Sequence, residues 1–391
     1  MKVALVSTHP PRQCGIATYT RKLSAALVDD GDGIRPEILC ERGGEQVSAD
    51  IPCEACFSRG EELGSPISEA AARRGIDLAH FQHAPDIFGV GRPMLAALEL
   101  LHRREIAVAV TLHTVFTRVS GLVERHPFAA SFHRALGQVV DGIVVHSDTS
   151  RRILEAHGVP VDRIELIPHG TDNPLRGDAS AGRRILGIEN NPRVLLFFGF
   201  IHMQKNVHVL LKALAHVVRS APDTVLAIVG KPGGDSWYNR LYTRWLKRLA
   251  RRLGLTDNVA IVDRFVTDEE AVDIHAAATA VLLPHAQGYG SASGVVHNAM
   301  SMGLPLICSD SIKFEEVAEN ISSDLQVPTH DVRAWAEKIS RLLDDDAWRD
   351  KITSRVESYA RDTRWSEVAR QHAAFYHKLG PARVGANGGL R

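Results

Sequence analysis

Val194-Leu195-Leu196-Phe197-Phe198-Gly199-Phe200-Ile201-His202-Met203-Gln204-Lys205-Asn206 opens the second half of the chain and runs straight into Val207 to Val218. The run of large apolar residues suits a strand buried on both faces, and the glycine suits the turn that leaves it. After Asn206 the apolar residues recur at helical spacing. This is one strand, one turn and one helix, and the same unit recurs in both directions. Downstream the strand-like runs are Val225 to Gly230, Val259 to Val262, Ala280 to Pro284 and Leu304 to Ser309. Upstream they are Val3 to Ser7, Glu37 to Cys40, Leu78 to Gln82, Ala107 to Leu112, Gly142 to His146 and Ile164 to Pro168, with helical stretches such as Ala17 to Leu27 and Arg92 to His102 between them. Strands alternating with helices throughout predict an α/β fold with parallel sheets covered on both faces.

The alternation is interrupted once, at His169-Gly170-Thr171-Asp172-Asn173-Pro174, a cluster of turn formers. With 391 residues the chain exceeds what a single core usually organises. The expected arrangement is two doubly wound, Rossmann-like domains facing a cleft, residues 1–172 and 173–360, followed by a helix over 361–380 and a flexible tail over 381–391.

Composition narrows the function. The chain is 45% hydrophobic and 24% charged, and 46 basic residues balance 46 acidic ones. That neutrality gives no global attraction to nucleic acid or to an anionic membrane, so any membrane association would be peripheral. The N-terminal apolar run is too short for a signal segment, so the reading is cytoplasmic. Five cysteines in such a chain argue against disulfides, and the Cys53/Cys56 pair, with no partner pair at zinc spacing, reads as a plain loop pair. Oligomeric state is left open.

Three strings carry chemistry. The first is Phe198 to Asn206 with its helix. The second is Pro284-His285-Ala286-Gln287-Gly288-Tyr289-Gly290-Ser291-Ala292-Ser293-Gly294-Val295-Val296-His297-Asn298-Ala299-Met300-Ser301-Met302-Gly303-Leu304-Pro305. The third is Pro10-Pro11-Arg12-Gln13-Cys14-Gly15-Ile16-Ala17 near the N-terminus. In this order and at domain-scale spacing they resemble glycosyltransferase family 4, whose fold is GT-B, over nearly the whole chain. Small residues before a helix let backbone N–H groups approach a phosphate, and a lysine supplies a full charge, which is what a nucleoside-diphosphate leaving group needs.

The resemblance implies a hexosyltransferase-type enzyme that retains the anomeric configuration, requires no metal or other cofactor, and takes a sugar from a UDP- or GDP-linked donor to a small-molecule or glycan acceptor. It also implies that residues 1–172 form the acceptor side, that 173–360 bind the nucleotide sugar, and that the helix over 361–380 returns to the first domain. Lys205 falls on the family's phosphate lysine, and His113, in Thr111-Leu112-His113-Thr114, on its active-site histidine. Gly15, Gly199, Gly290, Ser291, Ser293, Gly294 and Val295 would bind the donor at the turns, and Phe265 and Val266 would read the base. His83 and His169 are candidates on the acceptor side. Two departures stand out. Phe200 occupies the place where similar enzymes carry an arginine, and Asn298 the place of the glutamate that holds the ribose. Arg264, or else Lys231, is expected to supply the missing charge. Two other readings follow from the same residues: a GT-B nucleotide-sugar 2-epimerase, and a non-catalytic scaffold that binds a nucleotide sugar.

Overall fold

The structure is a computed structural model that describes residues 1–44, 51–116, 129–188, 192–233, 237–286 and 292–380. It divides into two compact units: Met1–Gly170 with 289–292 and 363–391, and Thr171–Gly288 with 293–362. Each has its own sheet. This is the two-domain α/β architecture of the GT-B fold.

In the first unit the strands are β1 (Lys2–Ser7), β2 (Arg35–Glu41), β3 (Cys53–Phe57), β4 (Leu78–His83), β5 (Ala107–Leu112), β6 (Gly142–Val145) and β7 (Ile164–Leu166). They pair in parallel in the order β3-β2-β1-β4-β5-β6-β7. The chain builds outward from β1 to β3, then returns to build from β4 the other way. The connections after β1 and β4 therefore diverge, which opens a gap at the carboxyl ends of those two strands. One reading from the sequence is corrected: Cys53 and Cys56 lie in the edge strand β3 rather than a loop. Its five residues CEACF carry neither alternation nor an apolar run, so nothing local marks them as a strand.

The second unit holds β8 (Arg193–Phe198), β9 (Thr224–Val229), β10 (Val259–Val262), β11 (Ala280–Leu283), β12 (Leu306–Ser309) and β13 (Gln326–Val327). Their order is β10-β9-β8-β11-β12-β13, again parallel, with the reversal between β8 and β11. Two-residue β13 has too little sequence to announce itself. One continuous apolar core, from Leu186 to Val356, fills both faces of this sheet.

The first unit has a separate core on each face of its sheet. One face is covered by the helices between β3 and β6. The other is closed by the helix Gly15–Asp30 and by the terminal helix Trp365–Leu379, which contributes Trp365, Val368, Ala369, Ala373, Phe375 and Tyr376 to the buried cluster. This packing explains Gly170 in the turn cluster, because a Cβ there would lie 2.2 Å from the Trp365 ring. It also accounts for the polar residues of β4. His80 is fully buried, and its Nδ1 meets the Tyr376 hydroxyl at 2.7 Å while its Nε2 meets Thr111 Oγ1 at 2.8 Å. Among the described residues no helix is long and apolar enough to cross a membrane.

Tyr376 thus fills core volume and satisfies a buried imidazole. Tyr376→Ala is expected to destabilise the protein by about 3–5 kcal/mol, as for other large aromatic truncations, and Tyr376→Phe by about 1–2 kcal/mol for the orphaned His80 nitrogen. Urea unfolding midpoints decide it. A loss under about 1 kcal/mol for the alanine variant would mean the terminal helix is not part of this core.

Candidate functional site

In the first unit the candidate residues gather around Tyr19, on the helix that follows β1. Its ring makes edge contacts with His113, His169 and Trp365, with centroids 4.7, 5.1 and 5.2 Å away. His113 follows β5 and is held at both nitrogens. Nε2 lies 3.0 Å from Gln82 Oε1, and Nδ1 lies 3.4 Å from His146 Nε2. Burial, followed by the neighbouring imidazoles of His146, His80, His83 and His372, drives its pKa well below the ordinary histidine value, so the ring is neutral. A substrate contact by either nitrogen requires exchange of one of these partners.

The acceptor-side candidates differ in character. His83 is buried, with Nε2 donating to the Gly89 carbonyl at 2.9 Å and its ring stacked on Phe88. Burial lowers its pKa to about 4. The structure thus places His83 inside the core of its unit rather than at a surface. His169 is half-buried, and its Nδ1 donates to the Gly170 carbonyl at 2.9 Å. Gly15 is the first residue of the helix Gly15–Asp30, where a Cβ would meet nothing within 4 Å.

In the second unit the loops after β8 and β9 leave the sheet in contact. Gly230, at φ +144°, sits so close to Gly199 that a Cβ there would be 2.0 Å from the Gly199 carbonyl oxygen. The chains then run on together, with Ile201 N–H donating to the Lys231 carbonyl and Gly233 N–H to that of Ile201. The ammonium of Lys231 stands 5.7 Å from the centroid of Phe200 and 5.9 Å from that of Phe265. Phe200 therefore serves as an aromatic face for a cation.

Across the sheet reversal, Gly199 also meets the helix Gly294–Ser301. The Cγ2 of Val295 lies 3.8 Å from where a Cβ on Gly199 would be. Ser293 is the N-cap of that helix; its side chain makes no cap bond, and its carbonyl accepts from the Val296 and His297 N–H groups at 2.9 and 3.3 Å. Asn298 is half-buried one turn further on, while Gly290 and Ser291 lie outside the described residues. Lys205 closes the group. It ends the short turn Met203–Lys205, and its Nζ donates to His285 Nε2 at 3.1 Å, while Ala286 N–H donates to the Gln204 carbonyl at 2.8 Å. The β8 and β11 loops are thus tied together around one ammonium.

The charges here are strongly perturbed. Burial, followed by the charge of Lys313, lowers the Lys205 pKa to about 7. Burial and then the two lysines push His285 well below the usual histidine value. With Nε2 accepting, the proton of neutral His285 sits on Nδ1, which is buried and has no hydrogen-bond partner among the described residues. Arg264 is placed differently from the expectation that it would supply a phosphate charge. Its guanidinium forks onto Glu270 at 2.7 and 2.6 Å, fixed by the capping box in which Thr267 and Glu270 start the helix Asp268–Ala276. The cation acting on Lys205 is Lys313, which sequence reasoning missed because it lies 108 positions downstream in an unremarkable turn. Phe265 is exposed and Val266 buried beside that arginine.

Comparison with known proteins follows this division. Residues 14–173 match the profile of Glycosyltransferase Family 4, and residues 192–345 that of Glycosyl transferases group 1. The chain belongs to glycosyltransferase family 4. It is 26% identical to a D-inositol 3-phosphate glycosyltransferase of Nocardioides sp. over 93% of its own length and 81% of that protein. The enzyme of the same name from Corynebacterium urealyticum is 30% identical over 62% of this chain and 58% of its own. Among solved structures, Anabaena HepE in complex with UDP superposes with a TM-score of 0.73 at 18% identity, covering 96% of this chain and 99% of HepE. Sucrose-phosphate synthase from Thermosynechococcus elongatus gives 0.75 at 20% identity, covering 97% and 99%.

Desolvated Lys205 has a measurable signature in this glycosyltransferase. Its folded pKa of about 7 lies below the ordinary 10.5, so within that window the unfolded chain binds a proton that the folded one does not. Stability therefore falls as pH drops from about 10.5 to about 7. Lys205→Met should lack this term and gain on the parent by about 1–2 kcal/mol across the same window, after discounting for the part-exposed side chain. Urea midpoints at pH 6.5 and 10 test it, and an equal difference at both pH values would rule out a desolvated ammonium.

Proposed function

We propose that this glycosyltransferase binds a UDP- or GDP-linked sugar through its second unit and transfers the sugar to a small-molecule or glycan acceptor with retention of configuration. The observation that carries the reading is that the ends of β8 and β11 set Gly199 against Val295 of the helix Gly294–Ser301 and Lys205 against His285, at the sheet reversal. A diphosphate there would meet an ammonium and oriented N–H groups. Support from the relatives is of two kinds: relatives similar in sequence are named D-inositol 3-phosphate glycosyltransferase, and HepE is seen with UDP and with UDP-glucose.

The chemistry is a displacement at the anomeric carbon. The bond from C1 to the diphosphate oxygen breaks, and a bond from C1 to the acceptor oxygen forms on the same face. The acceptor proton passes to a leaving phosphate oxygen. Charge accumulates on the diphosphate as this happens, and Lys205 gains most in that state because a desolvated ammonium interacts more strongly than a hydrated one. Because the protein supplies this positive charge itself, the reaction is expected to run without a divalent ion. Asn298 takes the ribose by hydrogen bonds without a carboxylate's charge. His113, oriented by Gln82 and His146, is assigned to the donor sugar.

Initial rates with UDP- and GDP-sugars, beginning with the inositol phosphate named for the relatives as acceptor, test the reading. Lys205→Ala is expected to lower turnover by about a hundredfold without loss of folding, and His113→Ala by less. The product's anomeric configuration should match the donor's, and activity should survive dialysis against EDTA. Donor conversion without acceptor would indicate an epimerase, and nucleotide binding without turnover a scaffold.

A further inference from the structure

We propose that the helix Trp237–Arg252 is a membrane-docking surface, lying along the headgroup region of a bilayer rich in anionic lipid. The proposal is independent of which donor and acceptor the enzyme uses.

The helix has the sequence WYNRLYTRWLKRLARR, and its inner face is fully engaged. Tyr242, Leu246 and Ala250 are buried in the second unit's core, with Leu249 packed against it. The opposite face of a domain-covering helix is ordinarily polar. Here Trp237, Leu241 and Trp245, spaced by four, are 54%, 46% and 40% exposed, and Tyr238 beside them is 60% exposed. That spacing keeps the three on one stripe. The other large apolar side chains exposed among the described residues are spread along the chain, so this cluster is a patch rather than ordinary scatter. Arg244, Arg248 and Arg252 repeat at the same spacing on the same face, with Arg251 alongside, and all are exposed. None of these four arginines has an ion-pair partner among the described residues. The helix itself holds no Asp or Glu, and its Lys247 is the residue that meets Asp263, at 2.7 Å.

Charge decides the occupant. The chain as a whole balances 46 basic against 46 acidic residues, so the positive face of this helix is a local concentration and not the mark of a basic protein. Indole and phenol rings settle at the level of lipid headgroups, an aliphatic side chain reaches just below them, and guanidinium groups meet lipid phosphates. The basic residues along the helix keep it at the surface rather than in the hydrocarbon. A nucleic acid fits this face less well, because it needs open rings on which bases stack. The Trp237 ring is stacked on that of Tyr238 with centroids 3.7 Å apart, and the Trp245 ring is stacked on that of Tyr242 at 5.6 Å with His208 also against it. Each indole thus has one face covered by a protein ring, and Leu241 offers no stacking face. The helix also starts at the candidate donor site. The side-chain amide of Asn239 donates to the Gly233 carbonyl in the loop after β9, the loop that carries Lys231, so docking would hold that loop close to the bilayer.

The test is flotation with vesicles of phosphatidylcholine alone and of an equimolar mixture with phosphatidylglycerol, at low and high salt. The wild-type protein should float with the mixed vesicles, stay behind with neutral ones, and be released by salt. Of its five tryptophans, Trp335, Trp348 and Trp365 are buried, so quenching by lipids brominated near the headgroup end of their chains reads Trp237 and Trp245. Arg244→Glu with Arg248→Glu should weaken partitioning more than about tenfold, at roughly fivefold per basic residue. Trp237→Ala with Leu241→Ala should weaken it by about tenfold and remove part of the quenching. Urea midpoints should be nearly unchanged in both, since these four side chains lie outside the core. Absence of binding to mixed vesicles at low salt, undiminished binding of the Arg244→Glu, Arg248→Glu variant, or binding without tryptophan quenching would overturn the proposal. So would binding of a single-stranded oligonucleotide by this face in place of vesicles, which would make it a nucleic-acid surface.

Discussion

The carbonyl of Gly199 occupies the space where a side chain of residue 230 would be, and the second unit's candidate site depends on that approach. From there the β8 loop runs beside the β9 loop through Ile201 and then meets the β11 loop at Gln204 and Lys205. That direction brings Lys205 to His285 and Gly199 to Val295. A glycine with φ of +144° is what the approach requires, since a Cβ would clash and the backbone conformation is one that other residues rarely adopt. The close contact is therefore a placement device as much as a packing detail.

What is placed there is charge in a poorly solvated setting. An exposed lysine contributes little to stability and would be little perturbed, whereas Lys205 and Lys313 are both lowered from the ordinary value and act in one another's neighbourhood. The free protein bears this arrangement as unfavourable electrostatics, of a kind that an anionic ligand would relieve.

The first unit handles polar groups in the opposite way. His80, His83, His113 and His372 are all held below the usual histidine value, chiefly by burial, and His80 and His113 have protein partners at both ring nitrogens. Such a network orients side chains rather than storing charge. The terminal helix is part of it, because Tyr376 satisfies His80 and Trp365 packs on Tyr19 and against Gly170.

The sequence by itself determined the alternation of strands and helices, the two-domain α/β architecture and the family, because these are carried by periodicity and by contiguous strings such as Phe198 to Asn206 and Ser293 to Asn298. Local patterns survive reading one residue at a time. It could not show β3 or β13, which are too short or too weakly patterned to differ from loop. Nor could it rank the cations. Arg264, Lys231 and Lys313 are equivalent as letters, and only the tertiary structure decided that the first is forked onto Glu270, the second set over Phe200 and Phe265, and the third close enough for its charge to lower the Lys205 pKa. The same holds for His83, an acceptor-side candidate by its place at a strand end, whose ring is buried against Phe88. Desolvation and charge proximity are sums over everything nearby in three dimensions, and residues 108 positions apart in sequence enter them as neighbours only after the chain has folded.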